Sequence, residues 1–254
     1  MRTNRVKAML ANGENVLGTF VRTTHPAVVE VLGLVGFDFV IIDNEHSPVG
    51  IESTANLIRA ADGVGITPFV RVMTNDAVAI MQALDAGALG VQVPQISARQ
   101  DAEYAARALK YPPTGTRGLA TSHRAANHGL MDPLEYVRMA DQETMFLAYV
   151  ENREAVANIE EIVTVPNIDL LFLGPADLSA SYGYPAQTAH PEVQQAIARV
   201  LQVAAVAGIP VGTVAADAAS ARVLLDRGVR FLAISSDLQM IGRWGSETLR
   251  ALRA

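Results

Sequence analysis

Short β-branched and apolar runs recur along this chain, and each is followed by a longer segment whose apolar residues return every three or four positions. The first pattern is that of a buried strand and the second that of an amphipathic helix. Strands are expected at Val16–Arg22, Phe37–Asp43, Pro68–Met73, Leu89–Pro94, Met145–Glu151, Leu170–Gly174, Ile209–Val214 and Arg230–Ser235. Helical patterns lie between them at Pro26–Leu34, Ile51–Ala61, Asp76–Leu84, Ala98–Leu109, Arg153–Val163, Pro191–Ala207 and Ala218–Arg227. Arg5–Ala11 adds a leading helix and Leu238–Leu252 a final one. Gly36, Gly87, Gly208 and Gly228 each stand between a helix and the next strand, where a left-handed C-cap favours glycine.

This alternation predicts an α/β fold, a (β/α)8 TIM barrel with residues 1–254 as a single domain and a leading N-terminal helix. The competing doubly wound sheet usually has fewer strands, and the G-x-G-x-x-G expected after its first strand is absent. No Ser/Pro-rich linker or low-complexity stretch divides the chain.

Half of the 254 residues are hydrophobic and 18% are charged, as expected of a well-packed soluble enzyme or binding protein. A net charge of −6 without a Lys/Arg cluster argues against nucleic acid as a partner. The absence of cysteine excludes disulfides, thiolate catalysis and Cys-ligated metals. No apolar h-region follows the first residues, and the uncharged stretch Val200–Ala216 is broken by Gly208 and Pro210 and too short for a bilayer. A cytoplasmic protein without a membrane partner is expected.

A barrel places its chemistry at the carboxyl ends of its strands. The second expected strand ends in Asp43-Asn-Glu45-His46, and a histidine there suits a general base or a metal ligand near neutral pH. The plainer alternative is a polar exit that caps the next helix. Arg71, inside the third apolar run, needs an anionic partner. That partner is either Asp43 or Asp85 in a structural ion pair, or a substrate carboxylate in a bidentate clamp. Asp85 itself either caps a turn or orients His46. The fifth and sixth strands deliver Glu151 and Asp177, the hard-oxygen pair suited to Mg2+ or Mn2+, although each could simply cap the helix that follows it. Gly174-Pro-Ala176-Asp177 opens a helix whose backbone N–H groups form an anion nest. Together these residues point to metal-assisted chemistry at a carbonyl beside a carboxylate.

The segments Asp43-Asn-Glu-His-Ser-Pro48, Val70-Arg-Val72, Leu84-Asp-Ala-Gly87, Tyr111-Pro-Pro-Thr-Gly-Thr-Arg-Gly118, Glu151-Asn-Arg-Glu-Ala155 and Gly174-Pro-Ala-Asp-Leu-Ser179 resemble the HpcH/HpaI family of class II pyruvate aldolases, from about residue 15 to 240. The resemblance implies a TIM barrel assembled as a hexamer of two trimers. It implies a divalent cation (Mg2+, Mn2+ or Co2+) held by Glu151 and Asp177. Pyruvate would chelate this cation, supported by Arg71 and the Ala176/Asp177 backbone. His46 paired with Asp85 would be the acid/base of aldol cleavage, releasing pyruvate and an aldehyde from a 4-hydroxy-2-oxo acid of the 2-keto-3-deoxy type. The family commonly has Gln where this chain has Tyr149, a substitution that bears on the acceptor range of the substrate pocket.

Other segments carry weaker signals. Leu119–Gly129, with His123, Arg124 and His128, reads as a lid, a subunit contact or an ordinary solvated loop. His25 and His190 precede proline at helix starts, and Trp244 suggests a core or oligomer contact. The last two strand ends occupy the usual barrel phosphate region but lack a glycine-rich loop. The same site could serve a carbon–carbon-forming synthase or a CoA-ester lyase, or an idle metal-binding barrel, for which His46 and Arg71 would be superfluous.

Overall fold

The structure is a computed structural model describing residues 2–253. Eight parallel strands pair in chain order and β8 pairs back to β1, closing the expected barrel. They are β1 (Val16–Val21), β2 (Phe39–Asp43), β3 (Thr67–Arg71), β4 (Gly90–Val93), β5 (Met145–Val150), β6 (Leu170–Leu173), β7 (Val211–Ala215) and β8 (Phe231–Ser236). Around them run α1 (Arg5–Ala11), α2 (Pro26–Val35), α3 (Ile51–Val64), α4 (Ala77–Asp85), α5 (Arg99–Leu109) and α6 (Pro133–Glu143). The second half adds α7 (Arg153–Ala157), α8 (Ile159–Ile162), α9 (Pro175–Ser181), α10 (Pro191–Ala207), α11 (Ala218–Asp226) and α12 (Asp237–Arg253). No helix among the described residues is long and apolar enough to cross a membrane.

Residues alternate between two apolar layers along each strand. Val40, Ile42, Val91 and Val93 face the helices, while Phe39, Ile41, Phe69, Leu147 and Phe231 fill the barrel. The interior interlocks large rings with absent side chains. A Cβ on Gly18 would collide with the Phe39 ring and carbonyl, and one on Gly212 would stand 2.9 Å from the Phe231 ring. Phe39 and Phe231 stack at 3.8 Å between centroids in this layer.

Two departures from the expected pattern concern helices. The span Arg153–Val163 divides at Asn158 into α7 and α8. The helix α6 was not expected, because only Tyr136 and Ala140 of its length are buried and its apolar period is weak. Its start was nonetheless written in Asp132-Pro133: the Asp132 carboxylate accepts from Leu134 N at 3.1 Å and Glu135 N at 2.9 Å, with proline at the first helical position. His25 and His190 likewise cap α2 and α10 through their side chains.

The whole segment 110–144 lies between the end of α5 and the start of β5, at the amino-terminal end of the barrel. The final helix α12 is strongly amphipathic yet unpacked. Ile241, Trp244 and Leu252 are 64%, 71% and 79% exposed, which removes Trp244 from this chain's core.

The interior geometry gives a stability test. Gly18→Ala should cost about 1–3 kcal/mol in urea unfolding, because the Phe39 backbone cannot yield to the new methyl group. Gly63→Ala, in α3 with open space around it, should be neutral or stabilising by about 0.5–1 kcal/mol. Equal effects at the two positions would mean that the barrel interior is not interlocked in this way.

Candidate active site

The β2–β3 register sets Asp43 directly beside Arg71. Arg71, 2% exposed, donates from Nε to Asp43 Oδ1 at 2.9 Å and from Nη2 to Oδ2 at 2.6 Å. Of the partners open to Arg71, the structure therefore forms the pair with Asp43 and not with Asp85. Asp43 Oδ1 also accepts the backbone N–H groups of Glu45 at 3.2 Å and His46 at 3.1 Å, bending the chain as it leaves β2. Burial by itself would raise the Asp43 carboxyl, but the hydrogen bonds and charge of Arg71 outweigh it and hold the group below its ordinary range. Arg71 Nη1 remains for other work and lies 3.2 Å from Glu45 Oε2. That contact is off the N–H direction, so Glu45 Oε2 is buried without a hydrogen bond. Burial, only partly countered by Arg71, raises the Glu45 carboxyl.

Across the rim, Glu151 leaves the end of β5 and is 8% exposed. Its Oε1 accepts Gln95 N at 2.7 Å, a donor aimed by the left-handed turn at Gln95 (φ +56°). Burial raises the Glu151 carboxyl to about 7; the Gln95 N–H opposes the shift, and the negative charges of Glu45 and Asp177 add to it. Asp177 projects from the first turn of α9 into the same cavity. Proline occupies the first position of this helix, and the following N–H groups of Ala176 and Asp177 lack intrahelical partners.

A cluster of buried carboxyl groups that raise one another's proton affinity fits a cation. Among the described residues no set of three His, Asp or Glu side chains converges closely enough to hold one alone. Two carboxylates completed by substrate and water oxygens match that arrangement.

His46 lines the same cavity with its side chain half exposed, and its Nε2 lies 3.7 Å from Glu45 Oε2. The expected pairing of His46 with Asp85 is not formed within the chain. Asp85 ends α4 and precedes β4, which puts it at the amino-terminal end of the barrel, away from every strand exit. There it accepts from Arg117 Nη2 at 2.6 Å and stands 3.3 Å from His123 Nε2. Burial outweighs Asp85 in lowering the affinity of His123 for its proton. Arg124 pairs with Asp62 at this end as well. The loop carrying His123, Arg124 and His128 is therefore no lid over the cavity of its own barrel.

The cavity, about 480 Å3, has Phe20, Arg71 and Tyr149 at its base. Tyr149 stacks on Phe172 at 5.3 Å, and its ring fills the space that a Cβ on Gly174 would need. Burial pushes its phenol well above the ordinary range, so it is a hydrogen-bond donor at neutral pH. Just beneath, Gln92 is fully buried with both amide atoms unpaired. The opposite wall consists of residues that sequence reasoning gave no role: Arg22, Val214, Ala216, Ser235, Ser236 and Gln239. Arg22 was legible only as the last residue of the first expected strand.

The HpcH/HpaI aldolase/citrate lyase family pattern matches residues 17–242. A hydroxypyruvate/pyruvate aldolase of Sagittula stellata is 38% identical over 94% of this chain and 93% of its own length. The crystal structure of an HpcH/HpaI aldolase/citrate lyase family protein from Burkholderia cenocepacia J2315 superposes with a TM-score of 0.95, covering 99% of this chain and all of its own at 34% identity. A citrate synthase, SbnG, superposes with a TM-score of 0.89 over 98% of this chain and 97% of its own at 31% identity. Family pattern, relatives and barrel agree over almost the whole length: the chain belongs to the HpcH/HpaI aldolase/citrate lyase family.

Proposed function

We propose that this protein is a cation-dependent carbon–carbon lyase that reversibly cleaves a 4-hydroxy-2-oxo acid into pyruvate and an aldehyde. The observation that carries the reading is the convergence of Arg71, His46 and the Glu151/Asp177 pair on one cavity at the strand exits. Glu151 and Asp177 would hold Mg2+, Mn2+ or Co2+, which would act as a Lewis acid at the 2-oxo group and stabilise negative charge developing there. The N–H groups of Ala176 and Asp177 bind the substrate carboxylate, and Arg71 Nη1 donates beside it. His46 takes the proton from the C4 hydroxyl. The C3–C4 bond then breaks, its electrons pass to the 2-oxo group, and the aldehyde leaves. Protonation at C3 completes pyruvate, and His46 returns its proton to the new hydroxyl in the reverse direction. Tyr149 donates a hydrogen bond at the cavity base, where the family commonly places a glutamine.

The unpacked apolar face of α12 supports self-association, in keeping with a hexamer of two trimers. With Asp85 at the far end of its own barrel, a His46–Asp85 pair would be made between chains.

Three outcomes follow. Exhaustive chelation should abolish both aldehyde release and exchange of the pyruvate methyl protons with deuterated water, and Mg2+, Mn2+ or Co2+ should restore them. Full activity after chelation, with a borohydride-trappable lysine adduct, would overturn the reading.

Glu151 also ties stability to pH. Its folded-state carboxyl holds a proton up to about pH 7, whereas in the unfolded chain it releases it near 4.5. The cation-free protein therefore loses stability as pH rises through that window. Glu151→Gln should raise the Tm of chelated protein by several degrees at pH 8 and leave it nearly unchanged near pH 5. An equal shift at both values would show that this carboxyl does not titrate there.

His46→Ala should lose about 10²–10⁴ in cleavage rate. If the His46–Asp85 pair spans two chains, mixing His46→Ala with Asp85→Asn subunits should regain activity that neither has alone. No recovery in verified mixed oligomers would exclude that pairing.

A further inference from the structure

Charge is distributed unevenly around the cavity. Glu45, Glu151 and Asp177 lie at the exits of β2, β5 and β6. The sector formed by the exits of β7, β8 and β1 carries the opposite sign, because both of its carboxylates are already engaged. Asp237, almost fully buried, accepts from Arg22 N at 3.0 Å, Thr23 N at 3.0 Å, Thr23 Oγ1 at 2.8 Å and its neighbour Leu238 N at 2.8 Å. Asp217 caps α11, accepting from Ser220 N at 2.9 Å. The remaining charge in the sector is Arg22.

Arg22 lines the cavity, and its one ion pair among the described residues joins Nε to Asp43 Oδ2 at 3.1 Å. That nitrogen makes no hydrogen bond, since Arg71 already holds the same oxygen at 2.6 Å. Two guanidinium groups thus share a carboxylate that one of them neutralises in bidentate fashion. The terminal nitrogens of Arg22 make no hydrogen bond among the described residues. Polar groups accompany it. Ser235 adopts a left-handed conformation (φ +58°) unusual for a residue with a side chain. Its hydroxyl donates to Gln239 Oε1 at 3.3 Å, which leaves the Gln239 amide N–H groups available to the cavity. The buried Ser236 borders the same space.

From this arrangement we infer that the aldehyde half of the substrate carries an acidic group, and that Arg22, assisted by Ser235 and Gln239, binds it at the β7–β8–β1 side of the cavity. The inference rests on the lyase reading above and deepens it: the cleaved compound has a second anionic group beyond its C4 hydroxyl. An uncharged acceptor would leave a partly desolvated guanidinium without a counterion, whereas an acid group completes its planar donor fork. A carboxylate and a phosphate share this chemistry, and the test separates them.

The measurement is kcat/KM for aldol addition to pyruvate with matched aldehydes: succinic semialdehyde against butanal, and glyceraldehyde 3-phosphate against glyceraldehyde. The wild-type protein should favour the acidic member of at least one pair, and which pair shows the preference identifies the acid group. Arg22→Gln should reduce that acidic-to-neutral ratio at least about tenfold, with Arg22→Lys in between. Each variant supplies its own reference through the ratio, so a general loss of activity or stability does not imitate the effect. A wild-type enzyme that prefers neither acidic aldehyde, or a ratio unmoved by Arg22→Gln, overturns the inference. Deuterium exchange into pyruvate without any aldehyde distinguishes this failure from that of the underlying reading. Exchange without acid preference condemns only the role of Arg22, whereas no exchange in cation-loaded wild type condemns the lyase itself.

Discussion

The buried pair between Asp43 and Arg71 is the constraint on which the rim depends. It joins adjacent strands at their exits and closes two hydrogen bonds inside a barrel otherwise filled by aromatic and aliphatic side chains. Removing either partner would strand a charge where water cannot reach it, a loss on the order of 3–5 kcal/mol. The pair also shapes what lies above it. Asp43 turns the backbone at Glu45 and His46 through the same oxygen that meets Arg71 Nε, so the base and the guanidinium are placed by a single carboxylate. Arg71 is thereby both a structural ion pair and a member of the cavity, two roles that sequence reasoning had treated as exclusive.

The electrostatics of the other rim follow from the same economy of compensation. Asp43 is satisfied and stays ionised; Glu45 and Glu151 are buried with too little positive charge near them, and their proton affinities rise. The contrast is one of partners more than of depth, since all three are largely out of water. Carboxyl groups left in this condition mark a site that awaits a cation.

What could be read from the sequence was what local periodicity and strand ends encode. Eight apolar runs gave the barrel, and their carboxyl ends gave His46, Glu151 and Asp177 a common rim. The partner of Arg71 depended on the pairing register of β2 and β3, which no single run specifies. Asp85 was drawn toward His46 by the resemblance, although a residue that ends a helix before a strand belongs at the amino-terminal end of a barrel. The apolar stripe of α12 foretold a helix but not whether its own barrel would cover it, and α6 escaped notice because it buries so little. Arg22 was overlooked because a charged residue at a strand terminus looks like ordinary solvation until the neighbouring acids are seen to be engaged.

Asp237 fastens the exit of β1 to the start of α12, where the two ends of the chain meet. The wall of the cavity that faces the aldehyde is therefore built largely from the first and last strands, while the cation-binding carboxylates come from the middle of the chain. Such a division separates inheritance from adaptation. Replacements near the seam can retune which aldehydes are accepted while the pyruvate half stays as it was, so a lineage carrying this barrel can explore new carbon skeletons without reinventing the bond-breaking step.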